Sequence, residues 1–230
     1  MVVRLSAYPS LIGRTAIITG GGRGLGQVMA LALAGAGANV VITASRSQAD
    51  LDETKALIEE SSSGACLAIL ADVGVWEACE AVVAQTLAHF GRIDILVNNA
   101  ARGSYELAES GSHGPPGSPA PKMLDASVDG LRAMFDVNLI GPLLMTKAAL
   151  PALQANGVGR IVNISTSRPT MLRPYMGPYG PIKAALEAMT AIWAKELEAT
   201  GVTANVLLPG GATDTAIIPG AVGTRADPDF

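Results

Sequence analysis

A chain of 230 residues with 49% apolar and only 16% charged side chains can bury a sizeable core and is too hydrophobic to be disordered, so one domain is expected over 1–230. A net charge of -4 with no Lys/Arg run argues against a nucleic-acid partner. The opening MVVRLSAYPSLIGR lacks the long apolar core of a signal peptide, and the most apolar stretch, Val28 to Ala44, is interrupted by glycines and Asn39. It reads as a helix followed by a strand rather than a membrane span, and a cytoplasmic protein is expected.

The first predicted strand is RTAIIT, residues 14–19. It runs into TGGGRGLG, Thr19 to Gly26, which opens a helical pattern near 24–36. A phosphate pair needs a tight turn, a close backbone approach and the positive end of a helix, and Gly20, Gly24 and Gly26 sit where these are required. A second strand, NVVITA (39–44), ends in TASRS, Thr43 to Ser47, followed by a helix over 48–61. A third strand, CLAILAD (66–72), precedes a helix over 75–90. Cys66 and Cys79 fall in these apolar and helical runs and read as buried free thiols in a reducing compartment. A fourth strand, IDILVN (93–98), leads into NNA, Asn98 to Ala100.

Next comes an irregular loop, Gly103 to Pro121, containing SGSHGPPGSPAP. It is longer than most loops inside compact domains and is either a surface insertion or a flexible wall of a substrate crevice. A long helical pattern follows over 124–155, then a fifth strand, RIVNIS (160–165), a helix over 180–199 and a sixth strand, TANVLL (203–208). The strands are apolar on both faces and alternate with helices, which predicts an α/β fold with a doubly wound parallel sheet and a ligand crevice at the strands' carboxyl ends.

YMGPYGPIK, residues 175–183, holds two of the chain's four tyrosines. Tyr179 and Lys183 are four apart and share one face of a helix that begins near Tyr179. Pro181 is tolerated in its first turn, where the missing N–H has no intrahelical partner. Tyr175 lies before the break and has no such fixed relation to Lys183. With Met171, Leu172 and Met176 it suggests an apolar substrate wall, or ordinary packing.

The TGxxxGxG spacing, NNA, Asn138 within FDVNLIG, the Tyr179/Lys183 pair and PGG (209–211) occur in one order over residues 14–215. Together they resemble the short-chain dehydrogenase/reductase family. The resemblance implies a Rossmann-like NAD(P)-binding fold and interconversion of a secondary alcohol and a carbonyl by hydride transfer. It makes Tyr179 the general acid/base, with Lys183 lowering its pKa and holding the nicotinamide ribose. Asn138 then holds a water that relays protons. The family's catalytic serine falls on Thr166, flanked by Ser165 and Ser167; Thr166 is assigned the carbonyl-orienting role, with Ser165 as runner-up. Two further departures are Ala101, where a glycine is usual, and Ile182, where a small residue is usual.

Cofactor contacts are expected from Gly20, Arg23, Gly24, Leu25, Gly26, Ser45, Arg46, Asp72, Val73, Asn99, Ala100, Tyr179, Lys183, Pro209, Gly210, Ala212, Thr213 and Thr215. No acid stands at 44–46 to bind a ribose 2′-OH, while Arg23 and Arg46 are placed for a 2′-phosphate, so NADP(H) is preferred over NAD(H). No metal is expected. The partner is a small carbonyl or alcohol, and a homodimer or homotetramer is implied. Members normally continue with a lid helix, a further helix and a seventh strand, so a C-terminal strand is expected beyond Phe230. Two rival readings remain at this point: a nucleotide-binding module without catalysis, and a dehydratase or epimerase on the same fold.

Overall fold

The computed structural model describes residues 10–62, 64–104 and 121–209. Most of the predicted 103–121 loop lies outside them, as do Gly210, Gly211, Ala212, Thr213 and Thr215.

Six parallel strands form one sheet in the order β3-β2-β1-β4-β5-β6. They are β1 (Thr15–Ile18), β2 (Asn39–Ala44), β3 (Cys66–Leu70), β4 (Ile95–Asn98), β5 (Gly159–Ile164) and β6 (Val202–Leu207). The strand order reverses between β1 and β4, which opens a crevice at their carboxyl ends. Each predicted strand is present, β2 at its predicted bounds and the others shifted or shortened by one or two residues at their ends.

Alternation along the buried strands divides the core into two layers. Ile17, Val41, Leu96 and Ile161 face α3 (Trp76–Phe90), α5 (Gly141–Ala155) and α7 (Tyr179–Glu196). Ala16, Ile18, Val40 and Ile42 face α1 (Gly24–Gly35) and α2 (Gln48–Ser61). This two-sided covering is why the strands read as unbroken apolar runs.

The predicted helix over 124–155 is not continuous. Residues Met123–Asp125 form a 3-10 turn, and α4 (Val128–Phe135) then starts on the Ser127 hydroxyl, which accepts the Gly130 N–H at 3.1 Å. A π turn over Asp136–Ile140 separates α4 from α5. Pro142, just after the turn, has no N–H to give the carbonyl four residues back, which removes one helical bond at this point. The run 128–155 is long and apolar enough to cross a bilayer by length and composition, yet its Met145, Ala149 and Leu153 are fully buried in the sheet core. A short helix that the sequence did not suggest, α6 (Arg168–Met171), starts on Ser167.

The amino-terminal end of the sheet is tied by Asp94, which is 2% exposed. Its carboxylate accepts the Thr15 N–H at 2.9 Å, Arg14 Nη1 at 2.8 Å, and Arg92 Nε and Nη2 at 2.8 and 2.6 Å. Burial works against ionisation, but the hydrogen bonds from Arg92, the Thr15 amide and Arg14 outweigh it and hold the carboxyl below its ordinary value. Asp94 therefore adds stability above the unfolded aspartate value of about 3.9, and loses it as pH falls through the lower folded value. Asp94→Asn should destabilise the protein at neutral pH by about 2–4 kcal/mol in denaturant unfolding. The gap to wild type should close only in acid below pH ~3.9; a gap independent of pH would count against the ionised clamp.

Candidate active site

The glycine loop lies between β1 and α1, at the crevice. Gly20 and Gly24 adopt φ of 65° and 57°, conformations that side chains rarely take. A Cβ on Gly20 would come within 2.9 Å of Ala100 Cα, and one on Gly26 would collide with the Gly20 carbonyl. The loop is held from the other side of the crevice. Asn99 Nδ2 donates to the Thr19 and Gly20 carbonyls at 2.9 and 3.1 Å, and the Asn99 and Ala100 amides both donate to Thr19 Oγ1 at 3.0 Å. The first turn of α1 has no side-chain cap and no acidic residue, so its amides are left for an anion. That fits the pyrophosphate of a dinucleotide.

Around this loop the predicted contacts are placed as follows. Arg23 and Arg46 are exposed, and Arg23 Nη1 lies 3.7 Å from Asp50 Oδ2. Ser45 is exposed and Leu25 half-buried. Asp72 Oδ1 accepts the Gly74 N–H at 2.9 Å, while the Val73 side chain is buried against Gly141, leaving only its backbone for a ligand. Pro209 follows β6 at the carboxyl side of the sheet.

Tyr179 is the first residue of α7, as its spacing to Lys183 and the position of Pro181 predict. Lys183 is 2% exposed; its Nζ donates to the Ile164 carbonyl at 2.7 Å and lies 5.6 Å from the Tyr179 ring centroid. Burial lowers the amine to about 8 and raises the Tyr179 phenol above its ordinary value. This differs from the expectation that Lys183 lowers the phenol: desolvation, which opposes charge on either group, dominates both. Ile182, the bulky departure, is fully buried against Met134 of α4 in a small cluster that includes Tyr179.

Asn138 is fully buried in the π turn. Its Oδ1 accepts the Arg102 N–H at 2.7 Å and its Nδ2 donates to the Arg102 carbonyl at 2.9 Å. The side chain is thus spent on the loop after β4, and the group released by Pro142 is the Asn138 backbone carbonyl. Ser165, the runner-up hydroxyl, is 2% exposed and donates to Glu187 Oε1 at 2.6 Å, so it is committed elsewhere. Ser167 is bonded to Thr170 within α6. Thr166 is half-buried and, among the described residues, its hydroxyl makes no hydrogen bond.

Tyr175 has φ of 67° and is 49% exposed. With Met123, Met171, Leu172 and Pro181 it lines a cavity of about 400 Å³. Of the apolar wall read from the sequence, Met171, Leu172 and Tyr175 line that cavity and Met176 does not, and neither Tyr179 nor Thr166 lines it. Sequence reasoning missed Asp94 and Glu187, whose partners lie 79 and 22 residues away.

The chain matches the short chain dehydrogenase family model over residues 14–222. It is 36% identical over 205 residues to an uncharacterized oxidoreductase, YhdF, of Bacillus subtilis (strain 168), covering 87% of this chain and 63% of that protein. It is 38% identical over 208 residues to a short-chain type dehydrogenase/reductase of Picea abies, covering 88% and 72%. A metagenomic short-chain oxidoreductase solved in complex with NADP superposes with a TM-score of 0.74 at 30% identity, covering 87% of this chain and 84% of that one.

The two tyrosines separate cleanly by geometry. Tyr179→Phe should cut turnover by at least ~10²-fold, the loss typical of a general acid. Tyr175→Phe should change turnover by only a few-fold and act mainly on KM. Equal losses in steady-state kinetics would contradict the assignment.

Proposed function

We propose, because the chain belongs to the short-chain dehydrogenase/reductase family, that it is an NADP(H)-preferring oxidoreductase interconverting a secondary alcohol and a carbonyl of ketone or 3-oxoacyl type. The observation that carries this reading is the pairing of Tyr179 with a buried Lys183 on the first turns of α7, one residue beyond whose acceptor, Ile164, the strand has already ended. When bound, the nicotinamide supplies or accepts the hydride at the carbonyl carbon. The residues of the chain do the rest. Gly20, Gly24 and Gly26 with the α1 amides hold the pyrophosphate, while Arg23, Ser45 and Arg46 meet the 2′-phosphate. Asp72 and Val73 lie on the adenine side. Pro209 lies on the nicotinamide side, and the contacts expected of Gly210, Ala212, Thr213 and Thr215 fall outside the described residues.

Thr166 donates a hydrogen bond to the substrate oxygen. Tyr179, whose phenol burial keeps protonated at neutral pH, delivers its proton to that oxygen in reduction. Oxidation needs the phenol brought from above its ordinary value of about 10 toward 7, more than about 4 kcal/mol, for which a charged Lys183 and the cation of an oxidised nicotinamide are the available sources. Lys183 also holds the ribose. The Asn138 carbonyl, rather than its committed amide, is the group that holds the relay water. Cys66 and Cys79, pushed by burial to about 12, stay protonated, as suits a reducing cytoplasm. A homodimer or homotetramer is the assembly expected of a member of this family.

Loss of absorbance of the reduced cofactor should be seen with a panel of ketones and 3-oxoacyl thioesters, faster with NADPH than NADH. A panel in which neither cofactor is oxidised would reject the enzyme. Replacing Arg23 and Arg46 together by Ala should weaken NADPH at least ~10-fold while sparing NADH, since charged hydrogen bonds to phosphate contribute about 1.5–3 kcal/mol each. An unchanged preference in fluorescence titration would reject their role. Thr166→Val should lower kcat by roughly 10²-fold with cofactor affinity nearly intact. A mild Thr166→Val with a severe Ser165→Ala would move the donor to Ser165.

A further inference from the structure

Thr166 carries a demand on placement but has no side-chain tether of its own among the described residues. Its position must come from its neighbours. Ser165 is held in two directions: its N–H donates to the Leu207 carbonyl of β6 at 3.0 Å, and its hydroxyl donates to Glu187 Oε1 of α7 at 2.6 Å. On the other side, Ser167 starts α6 and pairs with Thr170 Oγ1 at 2.9 Å. The 2.6 Å distance falls in the range of charge-assisted bonds to a carboxylate, about twice as strong as neutral ones.

Glu187 is also placed for this on its own helix. Tyr179, Lys183 and Glu187 are spaced i, i+4, i+8 and share one face of α7. Three successive strand-end residues meet that face or its continuation: Asn163 Nδ2 donates to Thr190 Oγ1 at 2.8 Å, the Ile164 carbonyl accepts Lys183, and Ser165 donates to Glu187. The helix that carries the proton donor therefore also fixes the strand end that carries the carbonyl donor. We propose that Glu187 is a positioning residue, setting the Thr166 hydroxyl relative to the Tyr179 phenol through Ser165. The inference rests on the reading of Thr166 and Tyr179 as the two groups that meet the substrate oxygen.

The test uses Glu187→Leu, Ser165→Ala, their double variant and Glu187→Gln, with NADPH and the panel ketone that the wild type reduces fastest. A misplacement of about 1 Å costs up to ~10²-fold in rate, so Glu187→Leu and Ser165→Ala should each lower kcat by about 10-fold or more. NADPH affinity should stay within about threefold, because the glycine loop is untouched. The double variant should be no worse than either single one. Glu187→Gln keeps an acceptor oxygen and should restore most of the rate. A crystal structure of Glu187→Leu should show Thr166 displaced while the Lys183–Ile164 bond persists. Full kcat in Glu187→Leu, additive losses in the double variant, a Gln variant as slow as the Leu variant, or an unmoved Thr166 would each overturn the proposal. Should Glu187→Leu fail to fold, Ser165→Ala carries the same kinetic and crystallographic test. Tyr179→Phe separates the levels: retained turnover there sinks the reading of the reacting pair. An inactive Tyr179→Phe beside a fully active Glu187→Leu sinks only the positioning role.

Discussion

The hydrogen bond from Lys183 Nζ to the Ile164 carbonyl is the constraint from which the site follows. An ammonium that is 2% exposed is costly to hold, because one carbonyl replaces only part of the water it loses and burial lowers its pKa. The bond can form only if α7 lies against the end of β5 in one register. That register is shared by neighbouring polar contacts inside an otherwise apolar layer. Asn163 reaches Thr190 on α7 and also accepts from Asn98, its register partner on β4; Asn98 in turn donates to Thr146 on α5. Buried polar contacts of this kind specify one packing arrangement, because sliding by a residue leaves several groups unpaired at once. The seam is not fully satisfied: Asn98 Oδ1 is buried without a partner.

The two ends of the sheet divide the work. At the amino-terminal end the Asp94 clamp joins β1, β4 and β5, since its backbone also bonds Thr15 and Arg160. At the carboxyl end, strands stop early and loops take over, so that Thr19, Asn99, Thr166 and Pro209 approach the crevice. A rigid base lets the opposite end carry a buried amine and, among the described residues, an unpartnered Thr166 hydroxyl, neither of which adds much to local stability.

Local rules made much of this legible. Unbroken apolar strands gave the doubly wound sheet, and Pro181 together with the i, i+4 spacing placed the start of α7 at Tyr179. The break in the 124–155 helix was written in Gly141-Pro142 but was outvoted by a long apolar period, which is insensitive to one missing N–H. Pairings between distant residues were not legible. Nothing local to Ser165 announces Glu187, and nothing local to Asp94 announces Arg14 or Thr15. The balance of forces on the phenol was legible only in part, because spacing shows that Lys183 is its neighbour and not how much water burial removes from both groups.

The packing of the glycine loop has a consequence for descent with modification. Gly20 is closed in by Ala100 and Gly26 by the Gly20 carbonyl, whether or not a phosphate is near. A side chain at either position forces the surrounding backbone to shift, so these two positions have almost no room to vary. The exposed Arg23 within the loop, and the exposed Ser45 and Arg46 after β2, carry no such packing burden. On the roles proposed for Arg23, Ser45 and Arg46, a change from one dinucleotide to the other would fall on exposed side chains and leave the packed glycines of the cradle as they are.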